Sequence, residues 1–348
     1  MQSNILTLRK IFKYIEKNSL FGMDISDNSS KSLILEKLQG KLSSFIVPCF
    51  NEEDALPLFY REFLRVMDEM GKPNFELILI DDGSRDSTFE VICELAKEDS
   101  RIRYVSFSRN FGKEAAIYAG LENAKGDFVA IMDADLQDPP SLLPQMYEAI
   151  LLEGYDCAAT SRSDRRGEGK FRSFVSDMFY KVINRLSEVK LVAGARDFRL
   201  MKRNVVDAVL SLPENNRFTK GIYEWVGFKT KRIAFENVHR CAGNTKWSLA
   251  RLFFYALDGI LAFSTLPLAL ASLIGLAFCM LSSVAIVFVV IRQLIFHNSI
   301  EGWPSLVCII LFLSGLQLLC LGVIGQYIAK LYLETKRRPI YIVKKQNF

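Results

Sequence analysis

Two runs of this chain, residues 266–291 and 303–328, contain no charged side chain, and each is 26 residues long. About 20 apolar residues suffice to carry a helix across a bilayer. A backbone in lipid must satisfy its polar groups internally, so each run is predicted to be a membrane-spanning helix. Two spans put both ends of the chain on one side. The connection 292–302 carries one Arg and one Glu. The segment 331–348 carries Lys336, Arg337, Arg338, Lys344 and Lys345, with Lys330 just before it. The positive-inside rule then places both termini, and everything before the first span, in the cytoplasm. Trp303 and Tyr327 suit interfacial anchors. Residues 246–263, KWSLARLFFYALDGILAF, are amphipathic. Arg251 and Asp258, seven apart, share a face, while Trp247, Phe253, Phe254, Leu257 and Leu261 load the rest, which predicts a helix lying in the membrane interface.

The rest of the chain must fold in water. Half of the 348 residues are apolar, enough for a full core. Residues 44–161 alternate strand-like and helix-like runs. Strands are predicted at 44–48, 75–82, 102–108, 127–135 and 156–162. Helices are predicted at 53–70, 87–98, 112–124 and 140–154. Strands joined through helices pair in parallel with right-handed crossovers. Near-continuous apolar strands suit a sheet covered on both faces. The expected fold is a three-layer α/β sandwich with a mainly parallel sheet, whose ligands sit at the carboxyl ends of the strands. Residues 1–41 read as a polar lead, since LRKIFKYIEKN has no apolar run of signal-peptide length. Residues 163–245 are less regular and more basic.

Several function classes are excluded. The net charge of +5 is close to balance, and no nucleic-acid partner is expected. The seven cysteines form no C-x-x-C pair, so they read as reduced thiols and not as a disulfide frame or zinc site. His239 and His297 are the only histidines, too few for a His-rich metal site, and neither lies near a nucleophile elbow. There is no Walker A run. No G-x-G-x-x-G follows the first strand, where Asn51, Glu52 and Glu53 would repel a phosphate.

What remains is acid at three strand ends. VPCFNEEDAL supplies Pro48, Asn51, Glu52 and Glu53. LIDDGSRD supplies Asp81 and Asp82, and MDADLQDPP supplies Asp133, Asp135 and Gln137. A parallel sheet brings these ends to one edge, where their mutual repulsion must be offset. A divalent metal with a phosphorylated ligand does this, and hard oxygen donors select Mg2+ or Mn2+. Asp138 reads as the start of the next helix.

These motifs, with SRNFGKEAA, SRSDRRGEGKFR, RDFRLM, HRCAGNTKW, FSTLPL, GWPSL and ETKRRPIYIVK, resemble the polyprenyl-phosphate glycosyltransferases of the GT-A fold. The resemblance is greatest to the bacterial undecaprenyl-phosphate (bactoprenol) glucosyltransferases, and dolichyl-phosphate mannose synthase is a relative. It spans residues 42–343. It implies a cytoplasmic GT-A domain over 42–245, the interfacial helix 246–263, a membrane domain over 264–330 and a basic tail over 331–348. It further implies a bacterial inner-membrane enzyme using a nucleotide sugar, usually UDP-glucose, undecaprenyl phosphate and Mg2+ or Mn2+ among membrane lipids. A homo-tetramer is compatible with it. Pro48, Asn51 and Glu53 would line the nucleoside pocket, with Asp81 and Asp82 on the base. Asp133 and Ala134 would contact the donor, and Asp135 and Gln137 would hold the metal. Arg162 would lie near the donor and acceptor phosphate, Arg172 on the lipid phosphate, and Arg240 and Lys246 over the diphosphate.

A phosphate monoester is already ionised near neutral pH, its second pKa being ~6. It needs no strong general base, and one direct displacement inverts the anomeric centre. The same scaffold suits aminoarabinose, mannose, galactose or N-acetylglucosamine. A processive polysaccharide synthase would carry Gln-x-x-Arg-Trp before its membrane part, where this chain has GNTKWSLAR. A catalytically silent recruiting protein would not be expected to keep Asp133, Asp135, Gln137 and Arg172 together.

Overall fold

The computed structural model describes residues 28–162, 195–212, 214–215, 217–235, 266–296 and 302–348. Four strands form the parallel heart of the sheet: β1 (Ser43–Cys49), β2 (Phe75–Asp81), β3 (Ile102–Phe107) and β4 (Phe128–Ile131). Helices α2 (Leu56–Glu69), α3 (Thr88–Glu98), α4 (Lys113–Asn123) and α5 (Leu143–Leu151) lie near their predicted positions. The strands alternate between two cores. Phe45, Val47, Leu77 and Leu79 face one layer; Ile46, Ile78, Ile80, Val129 and Ile131 face the other. On the first face α2 buries Leu56, Phe59, Phe63, Val66 and Met67. Each such side chain contributes about 1.5–3 kcal/mol. Phe63 packs edge-on to Phe45 and Phe75 at 4.9 and 5.3 Å. On the second face α4 comes close enough to β1 that a Cβ on Gly120 would lie 2.1 Å from Ile46 Cγ2.

The sheet differs from expectation beyond β4. The strand at β5 (Cys157–Arg162) does not pair with β4. An antiparallel strand, β6 (Ala195–Lys202), lies between them, and β7 (Thr230–Phe235) closes that edge parallel to β5. RDFRLM is this inserted strand. Its charges broke the apolar run that marks a buried strand. Two further helices, α6 (Arg203–Leu210) and α7 (Thr219–Trp225), cover the second face. The polar lead is not wholly outside the domain. Helix α1 (Asn28–Leu38) buries Ile34 and Leu38 in the first core, and Lys37 Nζ donates to the Leu151 carbonyl at 2.7 Å.

Both uncharged runs are helices, α8 (Leu266–Phe296) and α9 (Trp303–Thr335). Their apolar side chains stand exposed, Val284 at 68% and Leu318 at 69%. A soluble domain does not expose apolar surface on this scale, and both helices are long and apolar enough to cross a membrane. The tail then returns to the sheet. Strand β8 (Val343–Gln346) pairs antiparallel with β3, and Tyr341 stacks on Phe107 at 4.9 Å. The full order is β7-β5-β6-β4-β1-β2-β3-β8. The chain that follows α9 thus rejoins the sheet of the domain. The predicted interfacial helix 246–263 lies outside the described residues.

Candidate active site

The carboxyl ends of β1, β2 and β4 meet as expected, but most of their acids are engaged within the protein. After β1 the chain turns at Asn51, whose φ is +55°. The Asn51 N–H donates to Ser84 Oγ, and its Oδ1 accepts the Arg85 N–H at 2.9 Å. Glu53 Oε2 accepts the Ser87 N–H at 2.9 Å, so the loop after β1 fastens the loop after β2. Pro48 is half-buried at the end of β1.

Asp81 and Asp82 are buried and organise loops. Asp81 accepts from the Ser84 N–H and from Ser106 Oγ. Asp82 accepts the N–H groups of Phe111 and Gly112 at 2.6 and 2.9 Å, drawing in the segment RNFG. Burial pushes the Asp82 carboxyl up to about 6, against the lowering by those two N–H donors. Gly83 makes the approach possible. Its φ is +65°, and a Cβ there would lie 2.4 Å from the Arg109 carbonyl carbon.

The segment after β4 alternates. The paired strand ends at Ile131, earlier than predicted. Asp133, Asp135 and Gln137 are half-buried, whereas Ala134, Leu136 and Asp138 are buried. The motif therefore leaves Asp133, Asp135 and Gln137 partly accessible beyond the strand end and buries Ala134, Leu136 and Asp138. Ala134 has its side chain in the first core, so its contact with a donor is restricted to backbone. Leu136 takes a φ of +56°, and Asp135 Oδ1 accepts the Gln137 N–H at 3.1 Å, closing a tight turn.

Asp138 does not cap the following helix. It is 1% exposed and pairs with Arg196 Nε at 3.1 Å, while its Oδ2 has no hydrogen-bond partner among the described residues. Burial pushes its carboxyl up to about 6, with Arg196 lowering it and Asp133 raising it. Arg196 Nη2 also donates to Gln137 Oε1 at 2.9 Å. Without knowledge of β6, nothing in the sequence signals this clamp.

A second cation was also missed. Lys113 Nζ, from the start of α4, lies 2.6 Å from Asp133 Oδ1 and 2.6 Å from Asp197 Oδ2. The pairing of Ile131 with Arg199, continued two residues, sets Asp197 beside Asp133. Facing carboxylates repel, and the ammonium offsets them. Burial alone would raise the Asp197 carboxyl; Lys113 and Lys220 outweigh it and hold the group well below its usual range. Lys113 correspondingly stays charged against the penalty of burial. Glu114 accepts from the Thr219 N–H at 3.2 Å, tying α4 to α7. Arg199 is 2% exposed and lies over the Tyr223 ring at 3.5 Å.

The repulsion expected at this edge is thus partly offset by Lys113. Asp135 and Gln137 still present hard oxygen atoms there. Among the described residues no three His, Cys, Asp or Glu side chains group as a closed metal cage. Mg2+ or Mn2+ binds through one or two carboxylates and completes its shell with substrate phosphates, a demand that the oxygen donors of Asp135 and Gln137 fit. For Gln137 to join it, the amide oxygen must leave Arg196. Cys49 is buried, and burial, followed by Glu52 and Asp81, raises its thiol well above the ordinary range, so it is inert. The backbone of Arg162 ends β5, in register with Phe235. Arg172, Arg240 and Lys246 lie outside the described residues.

The family described as Glycosyl transferase family 2 matches residues 44–210. A prophage bactoprenol glucosyl transferase homolog of Escherichia coli K12 is 41% identical over 302 residues, 87% of this chain and 98% of that protein. The bactoprenol glucosyl transferase of Shigella phage SfII is 42% identical over 304 residues, again 87% and 98%. A putative glycosyltransferase of Bacillus subtilis 168, CsbB, is 42% identical over 306 residues, 88% of this chain and 92% of that protein. Among solved structures, glucosyl-3-phosphoglycerate synthase from Mycobacterium tuberculosis, in complex with Mn2+, UDP and phosphoglyceric acid, matches with a TM-score of 0.48 at 19% identity. It covers 66% of this chain and 80% of that one, a likeness too distant to bear on the site.

Proposed function

This chain belongs to glycosyl transferase family 2, and from that membership we propose that it transfers glucose from UDP-glucose to undecaprenyl phosphate at the cytoplasmic face of a bacterial inner membrane. The product is a polyprenyl-phosphate-linked glucose for modifying a cell-surface glycan such as O-antigen or the cell wall. The observation that supports the reading is the alternation after β4, which leaves Asp133, Asp135 and Gln137 partly accessible beyond the end of a central parallel strand. The names of the relatives support the acceptor and the sugar. The apolar hairpin supports a lipid acceptor, and the basic tail supports the cytoplasmic side.

Pro48, Asn51 and Glu53 shape the nucleoside side of the cleft. Asp81 and Asp82 act by fixing the loops against which the base rests. Asp133, held by Lys113, orients the sugar. Asp135 and Gln137 hold Mg2+ or Mn2+, which supplies charge stabilisation for the departing diphosphate. Arg172 and Arg162 bind the acceptor phosphate, and Arg240 and Lys246 close over the donor's diphosphate; these four roles rest on the family resemblance. An oxygen of the lipid phosphate attacks the anomeric carbon. The bond to UDP breaks with its electron pair, and the configuration inverts. The nucleophile arrives ionised, so positioning and electrostatics suffice.

The test incubates membranes containing the full chain with undecaprenyl phosphate and a panel of nucleotide sugars, with and without EDTA. UDP-glucose should give lipid-linked glucose, and EDTA should abolish it. No lipid-linked sugar from any donor would overturn the enzyme reading. Transfer that ignores EDTA would overturn the metal role of Asp135 and Gln137.

A further inference from the structure

A second cleft lies away from the strand-end site, where the tail leaves the membrane helix. It has a volume of about 780 Å³ and is walled by three separate stretches of chain. Helix α4 supplies Tyr118 and Glu122, the segment before α7 supplies Asn215, and the end of α9 with the chain just after it supplies Glu334, Arg337, Arg338 and Tyr341. Internal bonds fix its walls. Tyr341 Oη donates to Glu122 Oε2 at 2.6 Å, and the Asn215 N–H donates to Glu334 Oε2 at 3.1 Å. Arg337 takes a φ of +47°, and Pro339 follows, so the helix ends in a sharp corner that carries the two arginines.

The height of this corner is set by the helix. The charge-free run 303–328 of α9 ends at Ile328, and Arg337 stands nine residues beyond it. At ~1.5 Å per residue this is about 13 Å past the apolar run, from which an arginine side chain extended toward the bilayer reaches the headgroups. Both arginines are exposed. A guanidinium pair at this depth matches the two free oxygens of a phosphodiester. Beyond it, Glu122, Tyr118 and Tyr341 offer oxygen partners to hydroxyl groups. A volume of this size accommodates a small polar head.

We propose that this cleft binds the head group of an anionic, hydroxyl-bearing phospholipid of the phosphatidylglycerol type. Arg337 and Arg338 take the phosphate, and Glu122 with the two tyrosines takes the glycerol. The site is separate from the acceptor's and docks the domain against the bilayer at a fixed height. The inference rests on the membrane placement of α8 and α9 and not on the transfer chemistry.

The test titrates the full chain, delipidated in non-ionic detergent, with phosphatidylglycerol, phosphatidylethanolamine or undecaprenyl phosphate, and reads bound lipid by native mass spectrometry. Phosphatidylglycerol should bind about tenfold more tightly than phosphatidylethanolamine, and Arg337→Gln/Arg338→Gln should abolish that preference. Lys344→Gln/Lys345→Gln removes the same charge outside the cleft and should leave the preference intact. Undecaprenyl phosphate binding should not change in either variant. Thermal unfolding of each variant checks that it is folded. Three results would overturn the proposal: an unchanged preference in the arginine variant, an equal loss in the lysine variant, or a loss of undecaprenyl phosphate binding in place of phosphatidylglycerol binding.

Discussion

Lys113 Nζ lies 2.6 Å from Asp133 Oδ1, so the first acid of the motif after β4 is held by a cation from the start of α4. The same ammonium reaches Asp197 on β6 and joins three elements at the edge of the sheet. Lys113→Met leaves two neighbouring carboxylates without their counter-charge. The side chain is 42% exposed, so the stability cost sits between that of surface and buried pairs, about 1–2 kcal/mol. The effect on transfer should be larger, roughly 10–100-fold in kcat/KM, because Asp133 loses its orientation. Lys113→Arg should recover part of it. Steady-state kinetics and thermal unfolding together separate the two effects.

Asp82 and Asp138 give stability a pH dependence of unusual sign. Each carboxyl is raised from 3.8 to about 6 in the folded protein. The folded state therefore binds these protons more tightly than the unfolded state, and stability falls as pH rises from about 4 to about 6. Asp138→Asn removes one of the two contributions. Its melting temperature should vary less over that window than that of the unmodified chain, with a difference of up to about 3 kcal/mol. An identical pH profile for both proteins would contradict the assignment.

Gly83→Ala tests the loop that Asp82 gathers. The new Cβ would meet backbone at 2.4 Å, and the φ of +65° disfavours any side chain. Loss of about 2–4 kcal/mol is expected. Donor affinity should fall with it, since segment 109–112 is held by Asp82 and belongs to the loops proposed to support the base. Differential scanning fluorimetry with and without UDP reads both.

Deleting residues 340–348 removes β8 and uncovers the edge of β3 together with Phe107. The lost burial corresponds to about 2–3 kcal/mol and a melting temperature lower by roughly 5–10 °C. The bare strand edge should also promote aggregation. Tyr341→Phe keeps the stacking and loses only the bond to Glu122, so it should cost about 1 kcal/mol.

The sequence reveals whatever depends on local pattern. The four parallel strands, their helices and both apolar spans follow from periodicity and length, and the acids stand at strand ends because parallel strands point one way. The insertion of β6 was hidden: Arg196, Asp197 and Arg199 interrupt the apolar pattern, yet each finds a partner only in the folded sheet. The same insertion decides the fate of Asp138, which looked like a helix cap until Arg196 came beside it. Lys113 is illegible for the same reason, since its two acids are 20 and 84 residues away. Strand β8 was obscured by lysines, which are common on the exposed edge of a sheet.

The central claim is transfer of a hexose to a lipid phosphate through the edge formed by Asp133, Asp135 and Gln137. Its most direct measurement is mass spectrometry of undecaprenyl phosphate incubated with the purified full chain, UDP-glucose and Mg2+ or Mn2+, beside Asp135→Asn. The account predicts a lipid heavier by one hexose, formed at least about 100-fold more slowly by the variant. An unaltered lipid, or equal rates from both proteins, would contradict it.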